Sequence, residues 1–535
     1  MSTASKVASK DQSAPPSRLG PRELRRRQPL PGHRRGRRAS LVARGELRRT
    51  PWLVWVGLGL LLLTLAGAWA VTTRSAVSLD DLLRDPSATA RLPWYTGAFS
   101  IVGVMVWTAC AAICLFGYLA TRGAAARGAQ RRRGRFLLLA GGLTALLALD
   151  DALVLHEELV PRLLHLHPFV LFGIYAGAVL LLVVRFRRVL ARSNWLLLGM
   201  ALACFAVSLA ADLLDPRLSH AIGGDRQTLL EDAAKLCGVV LWTGYLVQFT
   251  LRAVRPKRRT APRGEMTGRS GDMARDSRTR LATQVRLADA LAAPAARRAA
   301  GAASTLRRAG GRLLRTPKAF WIPPVLMGAL VLYAYTFTAR RGISMRQITR
   351  DVASVAEAPF YSGYLSTVGG LVWMAGATGC LIAFASTRRS ETLETHRRSR
   401  FLLWAGLGTL WLCFDDLFLF HEFIGPQTFM LTEKEIFGAY VLAAVVVGVR
   451  FRRVIARSNF LLVFLAAGAF AVSLFVDVFK PEMSSINPSK RAVLEDGPKL
   501  VGIALWAAYL VQFSLESIRA ARDERATAPP AIGSG

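Results

Sequence analysis

Two short motifs of acidic residues and histidine are the part of this chain best suited to chemistry. LDDALVLHEELVP at 149–161 and FDDLFLFHEFIGP at 414–426 share the pattern D-D-x4-H-E. Carboxylates beside an imidazole can bind a cation, pass a proton, or hold a divalent metal that activates water. The candidate site residues from these motifs are Asp150, Asp151, His156, Glu157, Asp415, Asp416, His421 and Glu422.

The two motifs belong to a longer internal repeat. RFRRVLARSNWLLL at 185–198 recurs as RFRRVIARSNFLLV at 450–463, and LLEDAAKLCGVVLW at 229–242 recurs as VLEDGPKLVGIALW at 493–506. An offset that stays near 265 residues predicts that each half is one copy of a single fold. Ionisable residues kept in both copies extend the candidate site to Asp212, Glu231, Lys235, Asp477, Glu495 and Lys499.

Composition predicts an all-α, polytopic integral membrane protein. Of the 535 residues, 52% are hydrophobic and the mean hydropathy is +0.32, which is more apolar sequence than a soluble domain could bury. Apolar runs near spanning length predict twelve transmembrane helices as two tandem six-helix repeats, starting near 52, 97, 136, 168, 194 and 234, then near 319, 362, 401, 436, 459 and 499. Because six spans return the chain to its starting side, the repeats should be related by a pseudo-two-fold axis along the membrane normal.

The domain boundaries follow from the same runs. We expect a basic cytoplasmic tail at 1–50, membrane repeats at 51–255 and 316–520, a basic connector at 256–315, and a cytoplasmic tail at 521–535.

The net charge of +35 reflects topology rather than a nucleic-acid partner. The arginine-rich segments all fall on one side if the spans alternate, and the positive-inside rule makes that side the cytoplasm of a plasma-membrane protein. The partners we expect are the lipid bilayer and, for the basic loops, anionic inner-leaflet lipids. No nucleic-acid reading motif accompanies the charge, and the sequence does not specify an oligomeric state.

Distances along straight helices predict that the site lies near the outer surface. Asp150 lies about 22 Å from the inner end of its span and Glu157 about 33 Å, at 1.5 Å per residue. On a continuous helix these two share a face, whereas Asp151 and His156 project to either side of it. In the sixth span, Glu231 and Lys235 are four residues apart and should form a local ion pair.

Transport is the function that we expect, and two alternatives stay open. A membrane bundle with titratable carboxylates, a histidine and a lysine is typical of a transporter or permease for a cation or a proton-coupled solute. The first alternative is a membrane-embedded hydrolase that depends on a divalent cation, held by His156, Glu157, Asp150 and Asp212, with calcium, magnesium or manganese preferred over zinc. The second is a non-catalytic scaffold or sensor. A divalent cation is the one cofactor that these residues indicate.

Overall fold

A computed structural model describes most of the chain as helices. The described residues are 92–122, 128–156, 160–165, 167–254, 307, 311, 321–350, 352–356, 359, 362–390, 392–479 and 488–527. The expected first span near 52–72, the N-terminal tail and nearly all of the connector lie outside these residues. Every regular element within them is helical, as expected for an all-α fold.

Seven helices come from the first half of the chain. They are α1 (Ala98–Thr121), α2 (Gly128–Ala152), α3 (Val160–Leu164), α4 (Pro168–Leu190), α5 (Trp195–Leu213), α6 (Asp215–Ile222) and α7 (Gly224–Val254). The long ones coincide with the predicted spans, whereas α3 and α6 are short segments between them.

The second half contributes ten α-helices and one π-helical turn. They are α8 (Ile322–Arg341), α9 (Met345–Thr349), α10 (Val352–Val355), α11 (Tyr364–Thr387), α12 (Leu393–Phe418), the π-helix Phe420–Ile424, α13 (Gly425–Phe429), α14 (Glu433–Arg450), α15 (Arg452–Ala456), α16 (Phe460–Val478) and α17 (Pro488–Thr527).

Nine helices in the described part of the chain are long and apolar enough to cross a membrane, which supports a membrane protein. They include α1, α4, α5, α7, α8, α11, α12, α16 and the part of α17 from Leu494 to Glu524. Two helices at predicted spans fall short. Helix α2 carries arginines at one end and Asp150 and Asp151 at the other, and α14 has charged residues at both ends of a short apolar stretch.

Burial divides the candidate spans into an inner and an outer group. About three-fifths to two-thirds of each apolar window is buried in α1, α7, α11 and α17, at 61%, 61%, 61% and 67%. In α4, α5, α8 and α16 only 17–22% is buried. The outer helices expose large apolar side chains such as Leu181 and Phe464, which suits a surface that faces lipid tails.

The two halves meet through the inner helices. Helices α1 and α11 pack against each other, and a Cβ added to Gly379 of α11 would lie only 2.3 Å from the ring of Phe116 in α1. A small residue is needed here because it lets two membrane helices approach closely.

Candidate functional site

Each D-D-x4-H-E motif lies where a long helix breaks. Helix α2 ends at Ala152, and Val154 then adopts a left-handed conformation with φ 49°. In the second half α12 ends at Phe418, and Leu419 also has φ 49°. This conformation strains any residue with a side chain, and a β-branched valine most. Strain of this kind persists where surrounding contacts enforce it, often at functional sites.

The break turns each histidine back onto the first aspartate of its motif. The Nδ1 atom of His156 lies 2.8 Å from Oδ2 of Asp150, and that of His421 lies 2.9 Å from Oδ2 of Asp415. The backbone N–H of His421 also donates to Oδ1 of Asp415 at 2.9 Å. Both aspartates are buried, at 4% and 5% exposed. We call these pairs the Asp–His dyads.

The dyads correct the expectation of a continuous helix through the motif. A straight helix would keep His156 away from Asp150, but the left-handed residue reverses the chain and brings them together. Glu157, which was expected to share a face with Asp150, lies outside the described residues. Its counterpart Glu422 is partly exposed, and its Oε1 lies 3.7 Å from Nε2 of His421.

The second aspartate of each motif pairs with a lysine from another helix. Lys235 of α7 forms an ion pair and hydrogen bond with Asp151 of α2, and Lys499 of α17 pairs with Asp416 of α12 in the same way. We call these the Asp–Lys pairs. Lys235 was expected to pair within its own helix with Glu231. The structure adds a pair across to Asp151 of α2, and Glu231 also lies within the electrostatic reach of Lys235.

Glycines give the Asp–Lys pairs a close neighbouring helix. A Cβ added at Gly103 of α1 would lie 3.6 Å from Oδ2 of Asp151, and one added at Gly369 of α11 would lie 3.9 Å from Oδ2 of Asp416. Three helices therefore meet at each Asp–Lys pair.

The remaining acidic candidates are Glu231 and Asp212 in the first half and Asp477 and Glu495 in the second half. Glu231 accepts a hydrogen bond from Nε2 of Gln227 at 3.1 Å and lies within the electrostatic reach of Asp212 and Lys235. Asp212 thus belongs to the same cluster. In the second half, Asp477 is partly buried near the end of α16 and Glu495 is partly buried in α17.

Two tyrosines at the sites were not among the candidates from the sequence, whereas Asp232 and Asp496 were noted there beside the two glutamates. Tyr175 of α4 interacts with Asp150, and Tyr440 of α14 interacts with Asp415. Asp232 lies near Lys235 and Asp151, and Asp496 acts on Lys499. The two tyrosines match each other at the repeat offset, so a search of the offset for polar residues would have found them.

The first-half site is completed by residues of the second half. The Tyr364 hydroxyl of α11 donates to the carbonyl of Leu153, inside the helix break, at 2.7 Å. Asp232 interacts with Thr349 and Arg350, which follow α8. The helix break at Leu153 is therefore held by the opposite half of the chain.

Aromatic packing below the charged groups is the same in both halves. Phe205 stacks on Trp107 at 5.6 Å between ring centroids and covers Gly238, and Phe470 stacks on Trp373 at 5.6 Å and covers Gly502. The indole N–H of Trp242 donates to Thr144 at 3.1 Å, and that of Trp506 donates to Thr409 at 2.9 Å. These contacts hold the helices that carry the lysines.

Electrostatics favour a charged His421, which follows the candidate span α12. Burial of the ring lowers its pKa, but the hydrogen bond and negative charge of Asp415 outweigh that effect and leave the pKa raised above that of an ordinary histidine.

In the first half, Oδ1 of Asp150 and Oδ2 of Asp151 are buried without a hydrogen-bond partner among the described residues. Such an oxygen attracts a proton, a cation or a donor group.

Metal-ligand geometry is not apparent at these positions. Within the described ranges, no three His, Cys, Asp or Glu side chains come together as a group that could hold a metal ion.

Comparison with known families adds one finding. The model of a family described as a domain of unknown function, DUF8692, matches residues 52–249 and 325–513, which is more than half of the chain. The chain belongs to this family. The matched ranges of the DUF8692 family contain both D-D-x4-H-E motifs and both lysines. No curated protein and no solved structure matches the chain.

Proposed function

We propose that this DUF8692 protein is a membrane transporter or permease that binds a cation or a proton-coupled solute at the Asp–His dyads and Asp–Lys pairs. The observation that carries the proposal is the buried Asp150: Oδ2 is bound to His156, and Oδ1 has no hydrogen bond of ordinary geometry among the described residues, although Tyr175 interacts with the carboxylate. An unsatisfied carboxylate oxygen in an apolar setting costs free energy. Binding a proton or a cation removes that cost, so the site is suited to reversible loading.

The Asp–Lys pair would couple loading to a change in helix packing. Lys235 is shared between Asp151 on α2 and the acidic residues near it on α7, Asp232 and Glu231. When a cation or proton neutralises one carboxylate, the attraction of Lys235 to that carboxylate weakens, and the lysine moves toward another carboxylate that is still charged. Because those carboxylates lie on different helices, such an exchange would shift α2 relative to α7, which is the kind of coupled motion that alternating access needs.

The membrane arrangement that we propose is two tandem six-helix repeats with twelve spans. It is supported by the dyads, the Asp–Lys pairs and the aromatic stacks, which recur at the repeat offset. By the positive-inside rule, both termini would be cytoplasmic, the acidic sites would face outward from the plasma membrane, and the basic loops would contact anionic inner-leaflet lipids.

Proton flux into proteoliposomes tests the transport proposal without knowledge of the solute. The full-length protein is reconstituted with a trapped pH-sensitive dye, and a pH gradient is imposed. We expect flux above protein-free vesicles, a large loss in Asp150→Asn and Asp415→Asn, and a complete loss in the double variant. Glu433→Gln, which neutralises an exposed carboxylate at the start of α14, serves as the matched control and should retain the flux.

Two other outcomes would favour the alternatives. A divalent metal that co-purifies in stoichiometric amount and is lost from Asp150→Asn would favour the metal-dependent hydrolase. Wild-type vesicles that show neither flux nor metal would favour a scaffold or sensor. Outside labelling of His165→Cys but not of Arg187→Cys, in a background without native cysteines, supports the orientation, and the reverse pattern contradicts it.

A further inference from the structure

An arginine-lined pocket lies at the end of the first-half bundle opposite the acidic site. Its volume is about 250 Å³, and its residues come from α2, the end of α4, the α4–α5 loop and α7. Arg132 at its rim and Asp150 are on the same helix, 18 residues and therefore about 27 Å apart. The pocket is thus separate from the acidic site. The arginines that line it are Arg132, Arg133, Arg188, Arg192 and Arg252.

The floor of the pocket is a buried polar network. Ser193, Asn194, Tyr245 and Gln248 line it and are 7%, 2%, 1% and 4% exposed. The Ser193 hydroxyl donates to the carbonyl of Leu190 at 2.7 Å, so the Tyr245 hydroxyl, 3.0 Å from Ser193, is the donor in that contact. The amide of Asn194 donates to Gln248 at 3.4 Å. The pocket therefore has a buried, hydrogen-bonded base beneath positively charged side chains, most of which are exposed.

No acidic side chain balances the positive charge of the pocket among the described residues that line it. Five arginines therefore line the pocket without a carboxylate among them. Like charges held together destabilise the bundle unless an anion joins them. Guanidinium groups bind phosphate oxygens through paired, charge-assisted hydrogen bonds.

The second half contains the same framework with less positive charge. Ser458 bonds to Tyr509, and Asn459 bonds to Gln512, as their counterparts do in the first half. The positions that match Ala129 and Arg252, however, are Glu394 and Glu516. Glu394 forms an ion pair with Arg398 at 3.4 Å, and Glu516 accepts a hydrogen bond from Gln512 at 2.9 Å.

We infer that the first-half pocket binds a phosphate-bearing anion, and that the second half has lost or never acquired this site. The chemistry is that of a phosphomonoester, whose two charges and three terminal oxygens suit several arginines at once. It can come from the headgroup of a membrane lipid or from a soluble phosphate compound. The inference stands independently of the transport proposal, because it uses neither the dyads nor the Asp–Lys pairs.

Thermal unfolding and native mass spectrometry of the full-length protein test the inference. The protein is placed in nanodiscs of phosphatidylcholine alone, or with phosphatidic acid, which carries a phosphomonoester, or with phosphatidylglycerol, which does not. Inorganic phosphate and pyrophosphate are titrated into the phosphatidylcholine sample. We expect one phosphate-bearing ligand per chain and a raised unfolding temperature. If phosphatidic acid gives this result, the source is a lipid headgroup. If inorganic phosphate or pyrophosphate gives it, the source is a soluble phosphate compound.

Variants decide whether the pocket is responsible. Arg252→Glu, which copies the second half, should weaken binding at least tenfold, and Arg252→Gln should weaken it less. Arg187→Glu makes the same charge change on a neighbouring exposed arginine that does not line the pocket, and it should bind as the wild type does. The paired change Glu516→Arg with Glu394→Ala should create a second binding site.

Two results would overturn the inference. Equal weakening in Arg252→Glu and Arg187→Glu would mean that surface charge alone attracts the anion. Absence of stabilisation by every phosphate probe in the wild type would also reject the pocket. Unfolding of each variant without ligand shows whether it is folded, and proton flux in Arg252→Gln should be unchanged, which separates this site from the acidic one.

Discussion

Gly238 provides the sharpest test of the helix packing beneath the first-half site. A Cβ at this position would lie 2.7 Å from two ring carbons of Phe205. That ring is stacked on Trp107 with an interplanar angle of 13°, so it has little room to move away. The added methyl group must therefore push α7 away from α5.

The expected cost combines two opposing effects. Overpacking a tight interior costs roughly 1–3 kcal/mol, whereas replacing glycine with alanine favours the helix by about 1 kcal/mol. We expect Gly238→Ala to lower the free energy of unfolding by up to about 2 kcal/mol as the balance of the two, and to be about 1–3 kcal/mol less stable than a glycine-to-alanine change that meets no neighbour. Displacement of α7 should also weaken the Lys235–Asp151 pair, because Lys235 lies one turn away on the same helix.

Reversible denaturation in mixed detergent micelles, followed by tryptophan fluorescence, measures this change. Gly177→Ala is the matched control, since a Cβ there meets nothing within 4 Å, and it should be neutral or slightly stabilising. Phe205→Leu should relieve the effect of Gly238→Ala when the two are combined. Equal stability of Gly238→Ala and Gly177→Ala would refute the close approach of α7 and α5.

Three further substitutions test an Asp–Lys pair, an Asp–His dyad and a hydrogen bond in the packing below them. Lys235→Met should lower the free energy of unfolding by about 1 kcal/mol more in the wild type than in the Asp151→Asn background. The coupling is modest because the lysine side chain is 40% exposed. A double-mutant cycle that shows no coupling contradicts the pair. The raised pKa of His421 means that its stabilising contribution is complete below the pKa of an unfolded histidine and disappears as pH rises through the folded value. The unfolding temperature of the wild type minus that of His421→Gln should accordingly fall as pH rises, and a rising difference contradicts the assignment. Thr144→Val should cost roughly 1–3 kcal/mol, because it deprives the buried indole of Trp242 of its acceptor; a neutral effect would argue against that bond.

The repeat offset made much of the site predictable from the sequence. It selected the first aspartate, the second aspartate and the histidine in each half, together with Lys235 of α7. In the structure His156 contacts Asp150, and Lys235 contacts Asp151.

The pairing within the site could not be predicted, because it depends on a backbone event that has no strong local signal. Val154 and Leu419 occupy the left-handed region, although glycine or asparagine is usual there. A helical pattern therefore continued through the motif and separated Asp150 from His156. Partners across helices, such as Lys235 with Asp151, also required the packing of α2 against α7, which periodicity alone does not give.

Two of the predicted spans show a second limit of sequence reasoning. The stretch at 436–449 was predicted as a span from its apolar residues, but α14 has only that short stretch between charged ends. Helix α2 falls short for a different reason, because its arginines and aspartates leave too few uncharged residues in sequence. The charges that mark α2 as a candidate site thus weaken its signal as a membrane helix.

Charge movement in response to an external pH step tests the central claim most directly. Proteoliposomes adsorbed on a solid-supported membrane are switched rapidly between two pH values, with no solute added. If the buried aspartates load a proton from the outer side, the wild type gives a transient current that Asp150→Asn with Asp415→Asn abolishes and Glu433→Gln preserves. A current that survives the loss of both aspartates, or a wild type that gives none, would contradict the account.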